Sequence, residues 1–73
     1  MMNIRKEIGV RIKARLYDLH MTQRQLAEAC GLTEAAVSRY LNGQRCPKGE
    51  IIVRLAEALQ TDPNYILLGR EEE

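Results

Sequence analysis

Thr22-Gln23-Arg24-Gln25-Leu26-Ala27-Glu28-Ala29-Cys30-Gly31-Leu32-Thr33-Glu34-Ala35-Ala36-Val37-Ser38-Arg39-Tyr40-Leu41-Asn42-Gly43 reads as two short helices with a glycine turn between them. Thr22 followed three residues later by Gln25 is a capping-box signature, in which the hydroxyl accepts an orphan backbone N–H and the amide reaches back. Leu26, Ala27 and Cys30 then share the inward face, and Gly31 supplies the positive φ that stops the helix without steric cost. Thr33 caps the next helix, whose Val37, Tyr40 and Leu41 recur at spacings of three and four until Asn42-Gly43 ends it.

The same reading extends in both directions. Toward the N-terminus, Ile4, Ile8, Ile12, Leu16 and Leu19 place one apolar stripe on a helix over about residues 4–19. Toward the C-terminus, Gln44 to Pro47 form a loop, and Ile52, Leu55, Ala56 and Leu59 define the buried side of a helix around residues 50–60. Asp62-Pro63 is an N-cap followed by the residue whose missing N–H costs nothing at the first helical position; Tyr65, Ile66 and Leu67 follow before Gly69. Five helices and no strand alternation define an all-α chain. Residues 1–69 are expected to form one domain, with residues 70–73 as a frayed acidic tail.

Composition narrows the options. Seventy-three residues, 45% hydrophobic, hold one small domain, whose core must be supported by regular helix packing, disulfides, metal or a partner subunit. Two cysteines and one histidine cannot make a four-ligand zinc site alone, so no metal or other cofactor is expected. Cys30 and Cys46 read as reduced thiols, because the chain has no Cys-x-x-Cys and no signal-peptide block at its start. That start and the lack of a long apolar run place the protein in the cytoplasm and off the membrane. An enzyme fails on inventory: one His, no Gly-rich phosphate loop and no paired carboxylates in a context that would shift their pKa.

The formal net charge of +1 conceals an asymmetry. Residues 1–24 carry Arg5, Lys6, Arg11, Lys13, Arg15 and Arg24 against Glu7 and Asp18, whereas residues 50–73 carry Arg54 and Arg70 against six carboxylates. Such a distribution suits a polyanion at one end, and equally suits ordinary solvated helix faces. The two central helices, joined by a tight turn and closely approached at Ala27, have helix-turn-helix geometry. The outward face of the second, Glu34, Ala35, Ser38, Arg39 and Asn42, is polar, and its Arg and Asn can make bidentate contacts to base edges in a major groove.

The run Thr22-Gln23-x-x-Leu26-Ala27-x-x-Cys30-Gly31-Leu32-Thr33, then Val37-Ser38-x-x-Leu41-Asn42-Gly43 and Pro47, resembles the Xre/Cro-type DNA-binding domains of lambdoid-phage repressors. The likeness continues through Ile8-Gly9-x-Arg11-Ile12, Leu55-Ala56-x-Ala58-Leu59 and Pro63-Asn64-Tyr65-Ile66-Leu67, nearly the whole chain. It implies a five-helix, lambda-repressor-like domain that occupies a double-stranded DNA operator as a symmetric homodimer, and the sequence implies that the dimer is weak, since beyond Ile66, Leu67 and Leu68 near the C-terminus no apolar stripe is left over for a large obligate interface. In that pattern Gln23 matches the residue that touches phosphate and braces the recognition helix. Glu34, Ala35, Ser38 and Arg39 match positions that face bases, with Thr33 at their head in the same DNA-binding set. Asn42, Gln44, Arg45 and Lys48 fall where the backbone is clamped, and Arg11 and Arg15 extend that contact.

Two residues depart from the pattern: His20 stands where Gly often ends the first helix, and Glu34 puts a carboxylate where amides are common. Several positions also have structural readings. Glu34 suits the dipole of its own helix, Arg15 can pair with Glu7 or Asp18, and Tyr40 and Cys30 read as core. A rival function is an antitoxin or adaptor-type protein-interaction module on the same fold, which would favour an exposed apolar patch over a cluster of DNA-directed side chains.

Overall fold

The computed structural model describes residues 3–70; the acidic run read as a frayed tail lies outside these except for Arg70. Five helices are present: α1 (Ile4–Asp18), α2 (Gln23–Cys30), α3 (Glu34–Leu41), α4 (Gly49–Ala58) and α5 (Pro63–Leu68). Four of their starts follow local capping chemistry, and α4, entered from Lys48, has no side-chain cap. The Asn3 side chain accepts from Lys6 N at 3.0 Å, and Thr22 and Gln25 form the reciprocal capping box with distances of 2.8 and 3.0 Å. Thr33 Oγ1 accepts from Ala36 N at 3.1 Å, and Asp62 Oδ1 from Asn64 N at 2.7 Å with Pro63 at the head of α5. Each cap satisfies an N–H that the helix itself leaves without a partner.

Four helix ends close in one way. After α2, Gly31 (φ +66°) lets Leu32 N donate to Ala27 O at 2.9 Å, and after α3, Gly43 (φ +72°) lets Gln44 N donate to Arg39 O at 2.9 Å. After α1 and α4 the left-handed position is held by His20 (φ 52°) and Gln60 (φ 54°), with Met21 N donating to Leu16 O and Thr61 N to Ala56 O. These are Schellman closures, and at His20 and Gln60 they carry the steric cost of a Cβ in that conformation.

The core is a single cluster: Ile8, Ile12 and Leu16 from α1, Leu26, Ala27 and Cys30 from α2, Val37, Tyr40 and Leu41 from α3, Ile52, Leu55 and Ala56 from α4 with Leu59, and Ile66 from α5. The Cα radius of gyration is 10.9 Å. A compact chain of this length has about 11 Å, so all five helices share that one core. No helix among the described residues is long and apolar enough to cross a membrane.

Three details of the expected core differ. Ile4, read as the first member of the α1 stripe, is 53% exposed and lies outside the core cluster. Leu19 follows the end of α1 and is only partly buried. Ile66, counted among the apolar residues left over near the C-terminus, is fully buried in the core. The fourth helix begins and ends slightly earlier than its periodicity suggests, since Leu59 already lies beyond its last turn.

Candidate nucleic-acid interface

α2 and α3 pack on each other through Leu26, Ala27, Cys30, Val37 and Tyr40, and this fixes which side of α3 faces outward. Glu34, Ala35, Arg39 and Asn42 are exposed on that side and Ser38 is partly so, with Asn42 Nδ2 donating to Ser38 Oγ at 3.4 Å. Gln44, Arg45 and Lys48 are exposed along the segment between α3 and α4, and Pro47 is buried beneath them. Gln23 is exposed at the first position of α2. Thr33 is exposed too, but its hydroxyl is occupied by the cap of α3. Ten of the twelve residues singled out from sequence thus lie on α3, its cap, the α3–α4 segment or the head of α2.

The remaining two are engaged elsewhere. Arg11 Nε and Nη2 donate at 2.8 Å to the carbonyls of Ile66 and Leu67, which close α5. Arg15 donates to Leu59 O at 3.1 and 2.9 Å and to Gln60 O at 3.3 Å, closing α4, and its other nitrogen lies 3.7 Å from Asp18 Oδ2. Both guanidinium groups serve carbonyls that a helix C-terminus leaves unbonded, at the negative end of its dipole. Asp18, not Glu7, is the carboxylate beside Arg15.

The position of α3 is set from behind by α1. A Cβ on Gly9 would lie 2.8 Å from Tyr40 O and nearer still to Leu41 O, so only glycine lets α1 approach the closing carbonyls of α3 this closely. The Lys6 side chain crosses Gly43, whose absent Cβ would lie 2.6 Å from Lys6 Cγ. Gly43 is therefore required twice, for its left-handed φ and for this crossing. Periodicity could not flag Lys6, since its partner is distant in sequence.

Electrostatics leave the outward side available. Ion pairs among the described residues are Arg15–Asp18 and an exposed Arg24–Glu28 pair at 3.4 Å, and neither uses Arg39, Arg45 or Lys48. Both cysteines are free thiols, Cys30 buried and Cys46 exposed on the α3–α4 segment. Burial pushes the Cys30 thiol up, opposed by the charge of nearby Arg54, and its Sγ lies 3.6 Å from Arg54 O. What remains is a short helix with a polar exposed side, followed by cations that form no ion pair among the described residues and preceded by a capped helix head.

This arrangement defines a helix-turn-helix module. The family model described as "Helix-turn-helix" matches residues 12–66, and the chain belongs to that family. The chain is 38% identical over 65 residues to the HTH-type transcriptional regulator DicA of Escherichia coli K12, covering 89% of this chain and 48% of DicA. It is 36% identical over 62 residues to repressor protein C2 of Salmonella phage P22, covering 85% of this chain and 29% of that repressor. The chain therefore spans about half or less of these curated relatives. Among solved structures, the P22 c2 repressor in complex with synthetic operator 9T superposes with a TM-score of 0.82 at 35% identity, covering 86% of this chain and 96% of that one.

Proposed function

We propose that the protein is a sequence-specific double-stranded DNA-binding transcriptional regulator of phage or prophage type, acting in the bacterial cytoplasm as a repressor that occupies an operator as a weak, symmetric homodimer. The observation that carries this reading is the outward side of α3: Ala35, Arg39 and Asn42 stay exposed although the helix is packed on α1 and α2, and among the described residues no carboxylate pairs with Arg39. In this reading Arg39, with Glu34, Ala35 and Ser38, faces base edges. Asn42, Gln44, Arg45 and Lys48 hold the sugar-phosphate backbone. Gln23 does so from the head of α2, where the N–H groups that the Thr22–Gln25 capping box leaves free favour a phosphate. The likeness to the P22 repressor solved with its operator supports DNA binding by this fold.

In this reading Arg11 and Arg15 serve the helix-closing carbonyls that take their Nε and Nη2 donors, rather than DNA. For self-association the exposed apolar groups near the C-terminus are Leu68 and, on α4, Val53, too few for a large obligate interface and consistent with a dimer that forms on DNA. The adaptor reading draws on a different surface: Val10 and Tyr17, seven residues apart on α1, are 50% and 82% exposed. Fluorescence anisotropy on random duplex DNA separates the two. DNA binding requires retention at low salt that fades steeply as salt rises, whereas a pure interaction module shows none.

A further inference from the structure

We infer that Lys6 is an additional phosphate-contacting residue, which carries the DNA-binding surface from α3 and the segment after it onto the first turn of α1. The inference rests on the DNA-binding reading above and names a residue that it does not use. The Lys6 stem crosses Gly43, whose missing Cβ would sit 2.6 Å from Cγ, 3.1 Å from Cα and 3.2 Å from N of Lys6. Gly43 is flanked by Asn42 and Gln44, both exposed, so the Lys6 ammonium, a flexible reach beyond Cγ, is delivered to the edge of the surface they form. Lys6 is itself exposed, and neither ion pair among the described residues involves it.

Helix stability does not account for a lysine here. Lys6 is in the first turn of α1, where a cation opposes the positive end of the helix dipole. A phosphate diester beside Asn42 and Gln44 would supply the missing counter-charge, with Lys6 acting as a point charge on a mobile stem rather than as a reader of sequence. The competing structural explanation is that the ammonium serves the carbonyl end of α3, which lies against the same turn of α1.

Lys6→Met keeps the apolar stem over Gly43 and removes the charge, and Lys6→Arg keeps the charge. Binding is measured as a function of salt on two probes, a duplex selected from random sequence by the parent chain and an unselected duplex, with melting temperature recorded for each protein. The expected result is a Met variant that melts like the parent and binds both duplexes more weakly by a similar factor. Its log–log salt dependence should be shallower by about one, the share of a single phosphate contact, and Arg should restore the parental slope. A Met variant with the parental slope on both duplexes overturns the inference. If it also melts lower, Lys6 belongs to the closure of α3. A parent chain that binds neither duplex at low salt refutes the DNA-binding reading and this inference with it, whereas a binding parent with an unaltered variant removes Lys6 alone.

Discussion

Two arginines that look alike in sequence stand in opposite settings. Arg39 is exposed on α3 with no ion-pair partner among the described residues, so Arg39→Ala should leave the melting temperature unchanged, cost about 1–3 kcal/mol of binding and relax preference at one base pair if it reads guanine. Uniform weakening across sequences would assign it to phosphate instead. Arg11 ties α5 to α1 through two bonds of 2.8 Å, and removing a charged donor from such bonds costs about 1.5–3 kcal/mol. Arg11→Ala should therefore melt lower in a calorimetric scan, yet bind DNA like the parent at a temperature where it is folded. A loss of salt slope without a loss of stability would return Arg11 to the interface. Cys30 gives the pH dependence. Its folded pKa is raised by burial, so above about pH 8.5 the unfolded chain releases its proton first, and stability present below that pH declines as pH rises. Cys30→Ala should flatten that alkaline decline in urea titrations at successive pH values, and an identical decline in the variant would exclude the thiol as its source.

At the scale of the elements, caps and stops were legible because they are local. Thr22 with Gln25, Thr33, and Asp62 with Pro63 each start a helix where their side chains dictate, and Gly31 and Gly43 end two. The outward residues proposed on α3, Glu34, Ala35, Ser38, Arg39 and Asn42, follow from the same periodicity, which assigns that helix an inner and an outer side, whereas Gln23, Thr33, Gln44, Arg45 and Lys48 rest on the family resemblance. What periodicity could not reach are contacts between distant segments. Arg11 meets carbonyls 55 and 56 residues away, Arg15 one that is 44 away, and such bonds leave no repeating mark in sequence. Ile4 failed for the same reason, since a stripe position predicts burial only where another element supplies a wall. His20 was noticed as a departure and now has a physical meaning, a non-glycine residue at φ 52°. His20→Gly should raise the melting temperature by a few degrees, a gain of ~0.5 kcal/mol after glycine's own entropy cost is set against the relieved strain. A lower melting temperature would show that His20 makes a compensating contact.

For the molecule as a whole, one core positions the outward side of α3, so stability and the proposed DNA binding share residues. Leu26 and Val37 are 0% and 1% exposed between α2 and α3, and truncating a buried Leu to Ala costs about 2–5 kcal/mol, comparable with the entire stability of a domain this small. Leu26→Ala should lower melting temperature and operator affinity together, and a variant that melts like the parent would contradict the inner face assigned to α2. If two copies meet DNA through their α3 helices on one face of the duplex, their half-sites must lie about one helical turn, roughly 34 Å, apart. Selection of bound duplexes from random DNA tests that claim most directly. The account predicts enrichment of a pseudo-palindrome with half-sites spaced by about one turn; recovery of unenriched sequence, or of no DNA at low salt, would contradict it.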